Sequence, residues 1–169
     1  MISMAIVVSV FLPPPAESNK NCGADIPEPC TPDTPLGRLL LQTAACFSPL
    51  VAYDQIPAAA NRNGTAELYR GINLDLTKSE RLFGGAEKVI KSIACFLAGQ
   101  GISCRAAAAP TLGAAWAMSR FGGQKIAVSD AHELKNSLAP LPVAALRLSG
   151  QIIQSLADLN LTRIGHLLD

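Results

Sequence analysis

Between Glu67 and Ala109 the apolar residues change period twice, which limits the chain to helices laid on a sheet. Ile72, Leu74 and Leu76 alternate with Asn73 and Asp75, so Glu67 to Leu76 reads as a strand with one buried face. Val89, Ile90, Ile93 and Leu97 then recur at helical spacing, predicting a helix over Ala86–Ala98. Gly99-Gln100-Gly101 closes that helix with residues that tolerate a left-handed cap. Ile102 to Ala109 returns to a strand. A helix striped on one side has to bury that stripe against such strands.

The flanks extend the pattern. Ile6 to Leu12 is β-branched and reads as a buried strand, stopped by Pro13-Pro14-Pro15. Ala16 to Pro35 is a polar link. A helix opens at Thr34-Pro35, buries Leu36, Leu39, Leu40 and Ala44, and stops at Ser48-Pro49. Pro57 to Thr65 reads as a weakly structured connection. After Pro110 comes a helix holding Ala114, Ala115, Trp116 and Met118, closed by Gly122-Gly123. Lys125 to Val128 is a short strand, and Asp130 caps a helix running to Leu138. Beyond Pro140-Leu141-Pro142 two short helices are expected, Gln151–Leu159 and Thr162–Leu168. Ile152, Leu156 and Leu159 of the first should meet Ile164 and Leu167 of the second. The expected core pairs the Ile72–Leu76 strand with the Ile102–Ala109 strand and puts the Ala86–Ala98 and Leu112–Arg120 helices on one face.

Composition narrows the function. Apolar residues make up 49% of the 169 residues, enough for a real core, while the net charge of +1 gives no broad electrostatic footprint for nucleic acid. The cysteines (Cys22, Cys30, Cys46, Cys95 and Cys104) form no Cys-x-x-Cys pair, and no His stands at ligand spacing from them. They read as free thiols in a reducing cytoplasm. The apolar start, Met1 to Leu12, is too short to span a bilayer, so no membrane is implied. Gly84-Gly85 lacks the Gly-Lys-Ser/Thr that would make a phosphate loop, and reads as a packing turn. His132 and His166 have no catalytic partner in sequence and read as exposed; Trp116 reads as core.

A series of motifs then falls in order: Ser48-Pro49-Leu50-Val51, Leu74-Asp75-Leu76-Thr77, Leu82-Phe83-Gly84-Gly85, Arg105 to Thr111, Gly113 to Ala117, Leu138 to Val143, and Leu161 to Leu168. Over about Pro35 to Asp169 this series resembles the Y family of lesion-bypass DNA polymerases, and within it the ImuB-like branch. The resemblance implies an α+β fold. It would be a partial polymerase palm, a ferredoxin-like mixed sheet with helices on one face, followed by a short helix-hairpin-helix-like thumb segment. It divides the chain into a strand and irregular link (1–34), a palm-like domain (35–139) and the start of a thumb (140–169). The fingers subdomain of the family would be missing between the first strand and Ser48. The family's remaining thumb, little finger and clamp-binding tail would follow Asp169.

In that family the palm holds two metal ions with acidic residues, because two hard cations must clamp the attacking and leaving oxygens. Anchored on Leu74-Asp75-Leu76-Thr77, the Asp-Glu pair of the family falls on Arg70 and Gly71, and the Ile6–Leu12 strand carries no carboxylate. No catalytic residue, metal ligand or cofactor is therefore expected; Mg²⁺ would enter only if the chain were an active nucleotidyltransferase after all. Asp75 and Glu67 are the acids nearest the expected site, and both read as structural or solvated. The thumb of the family grips phosphate with a Gly-x-Gly hairpin, whose glycines are here Arg147 and Ser149. Arg147, Gly150, Gln151 and Arg163 are the candidate contacts for a weak, sequence-independent grip on the DNA backbone. The resemblance further implies a non-catalytic adaptor in DNA repair and translesion synthesis. Its expected partners are DNA, a sliding clamp, an error-prone polymerase and that polymerase's accessory protein. The rival readings are an active nucleotidyltransferase and a non-functional remnant.

Overall fold

The computed structural model describes residues 5–13, 31–54 and 70–168. The link from Ala16, the Pro57–Thr65 connection, Glu67, Cys22 and Cys30 lie outside them. The described strands form one five-stranded sheet in the order β2-β3-β1-β4-β5. They are β1 (Val7–Phe11), β2 (Val51–Tyr53), β3 (Gly71–Asp75), β4 (Arg105–Ala109) and β5 (Ile126–Val128). β1 runs antiparallel to both β3 and β4, β2 is antiparallel to β3, and β4 is parallel to β5. The fold is α+β with a mixed sheet, consistent with a partial palm.

Two details depart from the sequence reading. β3 and β4 share the sheet but do not pair, because β1 lies between them: Val10 faces Ile72 on one side and Ala106 on the other. The helices also divide between the two faces. α1 (Pro35–Ala45) and α2 (Ala86–Gly99) pack on one face, where Leu40, Ala44, Ile90, Ile93 and Leu97 meet Val8, Val10, Ile72, Leu74, Ala106 and Ala108. α3 (Leu112–Phe121) covers the opposite face, with Ala114 to Met118 against Ala107 and Ala109. The alternation along β4 explains the division. Successive alanines point to opposite faces, and neither face of that strand carries a side chain large enough to hold a helix away.

The start of α1 follows the cap read from sequence, and the start of α3 has a cap that the sequence reading did not name. Thr34 Oγ1 accepts from the Gly37 amide at 3.0 Å with Pro35 at the first position of α1, and Thr111 Oγ1 accepts from the Ala114 amide at 3.3 Å. Gly84 and Gly85 both take positive φ (74° and 107°) where a 3-10 turn (Glu80–Phe83) hands over to α2. Asp130 accepts from the amides of His132 and Glu133, but the helix it introduces, α4, is only Leu134–Leu138.

The C-terminal part differs more. α5 (Gly150–Asp158) forms as expected, but the second helix shortens to a 3-10 turn, Ile164–Leu167. The faces expected to meet are largely open. Leu159 is 70% exposed and Ile152 48% exposed, whereas Ile164 is buried with Leu141 and Ala145 in the α3 cluster. Backbone bonds explain the preference. Ile164 N–H donates to Leu141 O, Gly165 N–H to Ala139 O, and Val143 N–H to Thr162 O, so the segment is zipped onto residues 139–143.

Candidate functional site

The family's metal-binding residues would sit on β1 and β3, and there the α3 face of the sheet is polar. Ser9 at the centre of β1 and Asn73 in β3 are both buried. Asp54, the residue after β2, is buried beside them. The Asn73 Nδ2 donates to Asp54 Oδ1 at 2.7 Å. From the last turn of α3, Arg120 enters this pocket. Its Nη1 donates to Ser9 Oγ at 2.8 Å and to Ser119 Oγ at 2.6 Å, and its Nη2 pairs with Asp54 Oδ2. The two side chains of that ion pair are 0% and 3% exposed. The guanidinium also lies 4.9 Å from the Phe11 ring centroid and 4.8 Å from that of Trp116.

Burial pushes the Arg120 guanidinium down to about 9, and the nearby charge of Arg147 adds to the fall. The Asp54 carboxylate opposes both, since an adjacent anion favours the charged form. Arg120 is therefore a cation at neutral pH.

Gly71 lies under this pair. A Cβ there would run into the Val10 carbonyl oxygen and come within 2.8 Å of Arg120 Nη2 and 3.2 Å of Asp54 Oδ2. The space that a glutamate at this position would need is filled by a guanidinium. Its neighbour Arg70 is buried, with Nε and Nη1 lacking a partner among the described residues. Among the described residues no three His, Cys, Asp or Glu side chains come together. A two-metal centre of the polymerase type does not fit these residues: one carboxylate is present, and an arginine already neutralises it.

Asp54 and Arg120 are absent from the sequence reading, which took Asp75 and Glu67 as the nearest acids. Asp75 is structural. Its Oδ1 accepts from the Thr77 hydroxyl at 2.5 Å and the Thr77 amide at 2.9 Å, and Thr77 Oγ1 accepts from the Ile6 amide at 3.1 Å. The Thr77 hydroxyl and then its amide hold the Asp75 carboxyl below its ordinary value of 3.8, against a small opposing effect of burial. The signal for Asp54 was a carboxylate three residues past the Ser48–Val51 motif. For Arg120 it was a lone cation at the end of a helix otherwise made of apolar and small residues.

The thumb candidates are placed but not drawn into one cluster. Arg147 takes the left-handed conformation, φ 58°, that a glycine of the family's hairpin would favour, and its guanidinium lies 5.0 Å from the Trp116 ring centroid. Ser149 caps α5, accepting from the Ile152 amide at 3.5 Å. Gly150 and Gln151 form the exposed first turn of α5, and Arg163 is exposed beside Pro142, with which it makes an isolated antiparallel bridge. Trp116 is core at 1% exposure, and His132 and His166 are exposed. Cys46 and Cys95 are exposed free thiols; burial raises the Cys104 thiol, with Lys125 partly offsetting it. Among the described residues no helix is long and apolar enough to cross a membrane.

The sheet, its helices and the polar pocket thus define a palm-like α+β domain with a buried ion pair on the α3 side of the sheet. Over 98 residues the chain is 41% identical to Protein ImuB of Caulobacter vibrioides strain NA1000 / CB15N, and equally to that of strain ATCC 19089 / CIP 103742 / CB 15. The match covers 58% of this chain and 21% of each relative, so the chain spans about a fifth of the length of the curated relatives it matches. No family model matches. The identity supports the ImuB-like resemblance.

Proposed function

We propose that this chain is a non-catalytic, Y-family polymerase-like accessory protein of damage-induced mutagenesis, acting as an adaptor in translesion synthesis. The observation that carries this reading is the Arg120–Asp54 pair over Gly71. Phosphoryl transfer by two metal ions needs carboxylates free to bind them. The carboxylate in this pocket is committed to an arginine, and an aligned ligand position has no side chain. The identity to ImuB supports the Y-family part of the reading.

In this reading the palm is a scaffold. Arg147, Gly150, Gln151 and Arg163 give it a weak hold on DNA phosphates. An error-prone polymerase, its accessory protein and a sliding clamp are the partners brought together. A strain lacking the chain should lose most of its damage-induced mutation while keeping its spontaneous rate. Complementation with the wild type, or with Asp75→Ala, should restore it. Unchanged damage-induced mutation in the deletion strain would refute the proposal.

A further inference from the structure

We propose that the Arg120 guanidinium is the built-in cation of this palm, occupying the sheet face where a polymerase would bind divalent ions and tying β1 to the end of β2, with β3 joined through Asn73 and Asp54. The comparison with a polymerase rests on the palm reading proposed above; the geometry of the cross-link does not.

Three segments far apart in sequence supply acceptors to one buried group. β1 gives Ser9 Oγ at 2.8 Å, the end of β2 gives the Asp54 carboxylate, and α3 itself gives Ser119 Oγ at 2.6 Å. β3 joins through Asn73, which holds the other Asp54 oxygen at 2.7 Å. Asn73 Oδ1 is buried and accepts no hydrogen bond from the described residues, so the pocket holds an oxygen beyond those that meet Arg120. Phe11 and Trp116 present their rings to the guanidinium. A carboxylate, an amide oxygen and hydroxyls are the donors that hard divalent cations take. Here a covalently attached side chain supplies the positive charge, so the cation cannot dissociate or exchange with another ion.

The inference makes two demands. First, the charge should be needed because Asp54 is buried: removing one partner strands the other, which costs more than removing both. Second, a pocket emptied of its guanidinium but still holding Asp54 should accept a free cation weakly. Thermal unfolding of the full chain tests both, using Arg120→Ala, Asp54→Ala, the double variant and Arg120→Lys, each with and without millimolar Mn²⁺.

The wild type should show no Mn²⁺ effect. Arg120→Ala should melt well below it, regain part of the loss in Mn²⁺, and melt below the double variant. The double variant should not respond to Mn²⁺. Arg120→Lys should fold, stay closest to wild type and ignore Mn²⁺, which keeps the test open if Arg120→Ala does not fold. Additive losses in the double variant, a Lys variant no better than the Ala variant, or the same Mn²⁺ response in every variant would overturn the inference. Primer extension by the wild type would instead sink the proposed function, so the two failures are told apart.

Discussion

On the α1/α2 side of the sheet, Val8, Val10, Ile72 and Leu74 meet Leu40, Val89, Ile90, Ile93 and Leu97 in an aliphatic core. On the α3 side the same strands offer Ser9, Gly71 and Asn73, and the helix answers with Arg120 beside a wall of alanines and Trp116. The first face is held by volume and area, so its stability should track packing. The second is held by directed hydrogen bonds around a charge, so its stability should track the pairing of that charge. A polymerase palm keeps the second kind of face for metal ions. In this chain that face is polar and Arg120 supplies a cation from within.

The comparison can be broken on the apolar side first. Leu97 is fully buried in α2, and Leu97→Ala should cost about 2–5 kcal/mol in urea unfolding. A loss under 1 kcal/mol would mean that α2 is not part of the cooperative core. Next comes the crowded glycine on the polar side. Gly71→Ala should cost about 1–3 kcal/mol by overpacking against Val10 and Arg120. Gly113→Ala, a helical site where an added Cβ meets nothing within 4 Å, should instead stabilise by about 0.5–1 kcal/mol. Equal effects at the two sites would show that Gly71 is not closed in by the Val10 carbonyl and Arg120.

How much of this was readable in the sequence follows the same line. The apolar face was, because Val89, Ile90, Ile93 and Leu97, and Ile72, Leu74 and Leu76, each carry a clear period. The polar face was not, because its members come from four separate segments and none has a pattern of its own. Ser9 looked like an interruption in a β-branched run. Asp54 followed a three-residue strand too short to announce itself, and Arg120 closed a helix of small residues. The pairing of β3 with β1 rather than β4 is a long-range choice that no local window contains. The missing acids at Arg70 and Gly71 were legible through the resemblance, but the group that fills their space was not. In the C-terminal segment, the periodicity of Ile152, Leu156 and Leu159 suggested a helix pair, while the backbone ladder to residues 139–143 decided where Ile164 went.

Two smaller effects sharpen the picture. If the thumb segment holds DNA, binding should be weak and independent of sequence. Arg147→Ala with Arg163→Ala should then flatten the slope of log K against log salt by about 2. Fluorescence anisotropy over a salt series measures this, and tight binding that survives both changes would place the DNA contact elsewhere. The smallest effect is expected at Asp75. Its carboxyl is held below 3.8 by Thr77, so its contribution is fully present above that pH and is lost as pH falls through the depressed folded value. Asp75→Asn should therefore flatten the acid limb of stability below about pH 4, and an unchanged acid limb would show that the Thr77 bond carries no linkage.

The most direct test of the non-catalytic reading is primer extension by the purified chain in Mg²⁺ and in Mn²⁺. No nucleotide addition should be seen with either metal, for the wild type or for Asp54→Ala. Extension by the wild type that Asp54→Ala or Asp75→Ala abolishes would show that these carboxylates bind catalytic metal, and would contradict the account.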